Sequence, residues 1–180
     1  MKFQIIKRQN RRQADFTLAH AQRGFTLMEL LIVMSVILIL MALAIPSYMS
    51  IRRQANETSA IQSLRGITQA EIQYSQTYPA NGFACSLTSL GPAAGGGTAS
   101  ATAAGLVAAD LAGGQKSGYT FAITNCTKVT VNNQDMYTSY EITAVPQSVG
   151  KTGTRGFCSD QDSTIKSDPA GGTNCTQPIQ

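Results

Sequence analysis

Apolar and polar residues alternate in distinct ways along the chain, and each pattern predicts a different element. From Leu30 to Pro46 no residue is charged and the only hydroxyl is Ser35. Read as helix, Phe25 to Met49 spans about 37 Å at about 1.5 Å per residue, enough to cross a hydrocarbon core of about 30 Å. Between Ser47 and Tyr78 there is no Pro and Gly66 is the only Gly, while Ala60, Leu64, Ile67, Tyr74 and Tyr78 recur at helical spacings with Ile61 and Ile72 beside them. That stretch predicts a helix with one buried stripe, stopped by Pro79. Glu71 falls near the stripe and reads as a boundary residue. A continuous helix from about Thr26 to Tyr78 would be about 80 Å long.

The pattern then changes. Gly91 to Gly114 is dominated by Gly, Ala, Ser and Thr and reads first as a surface loop, with a short helix in "TAAGLVAADLA" anchored by Leu106 and Leu111. "GYTFAIT" places Tyr119, Phe121 and Ile123 on one face of a strand, "TKVTV" follows, and Asn132-Asn133 marks a turn. "SYEITAV" places Tyr140, Ile142 and Ala144 on one face and is stopped by Pro146. "GTRGFC" and "STIK" make a final hairpin through Asp160 and Asp162. The fold class expected is α+β: a long N-terminal helix, transmembrane in its first half, packed against a small antiparallel sheet of about four strands.

Charge sharpens the picture of the N-terminus. The formal net charge of +4 is uneven, because Lys2, Lys7, Arg8, Arg11, Arg12 and Arg23 face a single acid, Asp15, before Gly24, and the remainder is close to neutral. The basic leader predicts a cytoplasmic N-terminus with the C-terminal part across the membrane. Arg52 and Arg53 could suggest lipid headgroups or nucleic acid but read first as charged residues at the outer end of the span, and no specific nucleic-acid partner is inferred. A secretory signal has its small-residue cleavage site after the apolar region. Here Gly24 precedes it, so cleavage there would discard the leader and keep the membrane helix.

The four cysteines, Cys85, Cys126, Cys158 and Cys175, all lie on the outer side, where an even count reads as disulfides. Four cysteines permit three pairings; proximity prefers Cys85 with Cys126, and Cys158 with Cys175 closing a C-terminal loop. No C-x-x-C pair points to zinc. Asp160 and Asp162 read as turn formers before calcium ligands, and no metal or cofactor is expected. The single histidine, His20, lies in the leader, and there is no Walker loop or dinucleotide fingerprint, so no catalytic residue is assigned and the chain reads as an enzyme's substrate rather than an enzyme.

Glu29 is the unexpected residue: a carboxylate at the edge of an oily helix. The run Gly24, Phe25, Thr26, Leu27, Met28, Glu29, then Leu30 to Ile45 and Pro46, resembles the N-terminal signature of type IV pilins and the related pseudopilins of type II secretion. The signature covers about 25 of the residues. The leader is longer than in many relatives, and Leu38 stands where many have Gly. The C-terminal loop also resembles the disulfide-bounded region that varies among pilins.

The resemblance implies a cleavage site at Gly24 and Phe25 for a prepilin peptidase that also N-methylates Phe25. It implies that Glu29 pairs with the α-amine of a neighbouring subunit, since a carboxylate within the membrane needs a cation, and that Pro46 is a weak point of the helix during assembly. The organisation expected is leader 1–24, transmembrane and assembly helix 25–49, amphipathic continuation 50–78 and a periplasmic or extracellular head 79–180. The function implied is that of a structural subunit of a type IV pilus, with a pseudopilin of a secretion or DNA-uptake machine as the alternative and a non-assembling membrane-anchored protein as the third. Partners implied are further copies of the chain, the peptidase, an inner-membrane assembly platform, and membrane lipid before assembly. In any single-span anchor Glu29 would simply reach the cytoplasmic interface, and Gly24 would be a flexible joint.

Overall fold

The computed structural model describes residues 25–179. Gly24, His20 and the rest of the leader lie outside the described residues. Two compact units divide at Met41 and Ala42.

Helix α1 runs Leu27–Thr77, close to the span its composition predicts, and its backbone is α-helical through Pro46. Among the described residues of the first unit, Leu27, Leu31, Met34 and Leu38 are all exposed. This is the one helix among the described residues long and apolar enough to cross a membrane.

The second unit is built on the amphipathic stretch. Ala60, Leu64, Ile67, Ala70 and Tyr74 are buried against Tyr119, Phe121, Tyr140, Ile142, Ala144 and Phe157. The helix stripe thus covers the apolar face of a sheet, as the two periodicities of 3.6 and 2 require. After α1 come α2 (Leu87–Leu90), a 3-10 turn at Ala94–Gly96 and α3 (Ala109–Ala112). The helix expected over "TAAGLVAADLA" is only this last turn. The preceding segment instead lies along α2, with Leu106 and Val107 N–H both donating to Leu90 O, and Leu111 fills the core.

The sheet has six antiparallel strands in sequence order, where about four were expected: β1 (Gln115–Lys116), β2 (Tyr119–Val131), β3 (Gln134–Pro146), β4 (Gly156–Asp160), β5 (Ile165–Asp168) and β6 (Gln177–Pro178). The additions, β1 and β6, are two-residue edge strands, too short to carry an alternation in sequence. "GYTFAIT" and "TKVTV" form one strand, interrupted by irregular register between Thr124 and Lys128. Asn132 and Asn133 both take positive φ, 51° and 63°, which supplies the mirror-image turn that a two-residue hairpin favours. Cys85 is bonded to Cys126 and Cys158 to Cys175.

Two carboxylates depart from the pattern. Glu71 is wholly buried rather than at a boundary, and Glu57 is nearly so. Glu57 clamps the segment after β3 to α1: its Oε1 accepts the N–H groups of Thr154 (2.9 Å) and Arg155 (3.3 Å), and its Oε2 takes a two-pronged bond from the Arg155 guanidinium (3.0 and 2.9 Å). Such forked charge-assisted bonding is strong and geometrically selective.

Candidate functional site

The start of α1 is a capping box. Thr26 precedes the first helical residue, and its Oγ1 accepts the Glu29 N–H at 3.2 Å. Glu29 Oε2 accepts the Thr26 N–H at 3.0 Å and the Thr26 hydroxyl at 2.9 Å. Two of the backbone donors that a helix start leaves unsatisfied are thereby met reciprocally, which is the T-x-x-E arrangement. The sequence "TLME" carries the spacing of such a box, but beside an apolar run the glutamate stands out more as a charge needing a cation than as a cap. Glu29 also sits at the positive end of the helix dipole. Phe25, the residue just before the box, is 83% exposed.

The other residues singled out in the sequence lie elsewhere. Both disulfides belong to the second unit, as does Pro46. Asp160 and Asp162 form a turn: the Asp162 N–H donates to Asp160 Oδ1 at 3.1 Å, and Lys166 Nζ lies 3.8 Å from Asp160 Oδ2. Among the described residues no group of three or more His, Cys, Asp or Glu side chains is placed to hold a metal.

Glu71 is the carboxylate whose chemistry departs clearly from its ordinary state. Its Oε2 accepts the Ala84 N–H at 2.7 Å, and Oε1 meets no donor among the described residues. Burial pushes its pKa up from 4.5 to about 7, against the lowering effect of the Ala84 bond. Tyr140, whose buried hydroxyl likewise has no partner among the described residues, is pushed up to about 12, first by burial and then by the Glu71 charge.

These features define a class of protein: one membrane-length apolar helix opening on a threonine–glutamate box, and an α+β unit closed by disulfides. Residues 19–45 match the family model described as the prokaryotic N-terminal methylation motif, the prepilin-type signature of type IV pilins and pseudopilins. No curated protein and no solved structure matches the chain. The motif supports a type IV pilin-like or pseudopilin protein, a family that is structural rather than enzymatic, and implies processing by prepilin peptidase and assembly into filaments. With the apolar helix, it fits a membrane-anchored precursor later assembled into a surface filament.

Proposed function

We propose that the chain is a structural subunit of a type IV pilus, cleaved between Gly24 and Phe25, N-methylated on Phe25 and polymerised through α1, with the segment after the span on the outer side of the inner membrane. The observation that carries this reading is that the methylation motif at 19–45 overlaps a helix that begins at Leu27 and presents Glu29 in its first turn. Cleavage would create an α-amine on Phe25, and a carboxylate and an amine from adjacent subunits would neutralise each other where neither is well tolerated alone. The choice of pilus over secretion machine rests on the long C-terminal segment closed by Cys158 and Cys175.

The capping box makes the test sharper than a simple deletion. Glu29→Ala removes both charge and cap, whereas Glu29→Gln keeps a side-chain acceptor for Thr26 and loses only the charge. Both variants are expected to be processed and inserted. If the charge drives assembly, both yield few sheared surface filaments; normal filaments from Glu29→Gln alone would reduce Glu29 to a helix cap. Mass spectrometry of wild-type filaments should find methyl-Phe25 as the first residue. A chain retaining its leader in filaments would overturn the proposal, and loss of protein secretion with filaments intact would move the chain to the pseudopilins.

A further inference from the structure

Just past the apolar run, the loop between β3 and β4 is fastened flat to α1. Arg53 Nη1 donates to Gly150 O at 3.2 Å, Asn56 Nδ2 donates to Thr152 O at 2.8 Å, and Glu57 takes the Thr154 and Arg155 amides. The loop is itself a closed turn, with Thr152 N–H donating to Ser148 O at 2.9 Å and Gly150 N–H to Gly153 O at 2.7 Å. Its tip presents Val149, 56% exposed, and an exposed Lys151. Beside it is an open cleft of about 340 Å³ lined by Ser50, Arg53, Gln54, Glu57, Thr154 and Arg155.

Position along the helix says what this surface meets. Arg53 is four residues beyond Met49, the last residue of the apolar stretch, so Gly150 is fastened about 6 Å past its end. A polar headgroup layer is about 5–7 Å thick on each side of the hydrocarbon. An exposed valine beside exposed cations at that depth is the composition that suits an interface. Glu57 does not spoil the electrostatics, because Arg155 neutralises it. Arg53, Lys151 and the exposed Arg52 remain as net positive charge.

We propose that Lys151, carried on the Ser148–Thr152 turn, and Arg53 form a seat for the phosphodiester of an anionic phospholipid in the outer leaflet, holding the second unit on the membrane before assembly. The inference rests on reading the apolar part of α1 as a membrane span.

The test uses the full chain in bilayer nanodiscs containing equal amounts of phosphatidylglycerol and phosphatidylcholine. Lipid retained after mild detergent extraction is quantified by mass spectrometry for wild type, Lys151→Gln and Arg53→Gln/Lys151→Gln. Each charge removed should lower phosphatidylglycerol enrichment about fivefold, and Arg53→Lys/Lys151→Arg should restore it. The basic leader contributes equally to every variant, so ratios between variants isolate the loop. Lys151 is exposed at a turn tip, so its substitution tests the idea without threatening the fold. Unchanged enrichment in the double variant would overturn the inference while leaving the pilus reading intact. So would hydrogen-exchange protection of residues 148–152 that appears in filaments but is indifferent to lipid charge in nanodiscs, which would assign the surface to a second copy of the chain. Failure of the chain to insert would instead remove the membrane span on which both readings depend.

Discussion

Replacing Glu71 by Gln should make the protein more stable at alkaline pH and change it little in acid. Raising a carboxyl from 4.5 to about 7, at about 1.4 kcal/mol per pH unit, corresponds to about 3 kcal/mol. The sign follows from which state holds the proton. Below pH 4.5 the carboxyl is neutral in both folded and unfolded chains, and its ionisation contributes nothing. Between about 4.5 and about 7 the unfolded chain releases the proton while the folded chain keeps it, so stability falls as pH rises; above about 7 the loss is complete. Gln keeps an acceptor for the Ala84 N–H and cannot ionise, so the difference between variant and wild type isolates this one group. Because the chain has no Trp, tyrosine fluorescence of full-length protein in detergent, followed through urea unfolding from pH 4 to 9, is a suitable assay. Glu71→Gln should gain relative to wild type across that window and level off at about 3 kcal/mol. Parallel curves for the two proteins would refute the reasoning, since the ionised carboxylate would then be stabilised as well in the core as in water.

Glu57→Ala should cost about 1.5–3 kcal/mol, since the Thr154 and Arg155 amides and a half-buried guanidinium lose a charged acceptor; urea melts measure this, and Glu57→Gln should recover part of the loss. Replacing Cys158 and Cys175 together by Ser should cost about 2–4 kcal/mol in the same assay and expose residues 169–176 to proteolysis first. Gly156→Ala should be destabilising by about 1–3 kcal/mol or more, because a Cβ there would collide with the backbone carbonyl of Gly172, which cannot swing aside as a side chain would. Leu64→Ala, at a fully buried position in the centre of the helix–sheet contact, should cost about 2–5 kcal/mol.

What was legible in the sequence was whatever repeats with a local period. The apolar run, the stripe through Ala60, Leu64, Ile67 and Tyr74, the alternation of Tyr119 and Phe121 and the Asn132-Asn133 turn each announce themselves within a dozen residues. Glu57 and Glu71 did not, because a binary reading places every carboxylate on the wet face. Whether one can be buried depends on donors brought from afar: the Arg155 guanidinium, 98 residues from Glu57, and the Ala84 amide, supplied by the turn after the helix. The loop fastened to Arg53 is equally long-range, 97 residues distant, and nothing in "QSVGKTG" alone says that it lies against a helix.

The capping box also bears on how a glutamate is tolerated at the edge of a membrane helix before any partner exists. In the precursor the carboxylate is bonded to the Thr26 amide and hydroxyl, donors that a helix start would otherwise leave to water. These are charge-assisted bonds at the positive end of the dipole, so part of the desolvation cost is offset within a single chain. On the proposed function, cleavage then places a cationic α-amine on Phe25, one residue before the box. A subunit would carry both halves of the assembly contact in its first five residues, with the carboxylate already oriented by Thr26. The stagger between neighbouring subunits would then be set by the demand that each Glu29 find an amine not on its own chain. Thr26→Val, which removes the hydroxyl and keeps the amide and the charge, separates orientation from charge. It also removes the oxygen that caps the Glu29 N–H, so it should slow filament assembly without abolishing it, and a loss as complete as that of Glu29→Gln would show that the threonine hydroxyl is as necessary to assembly as the charge.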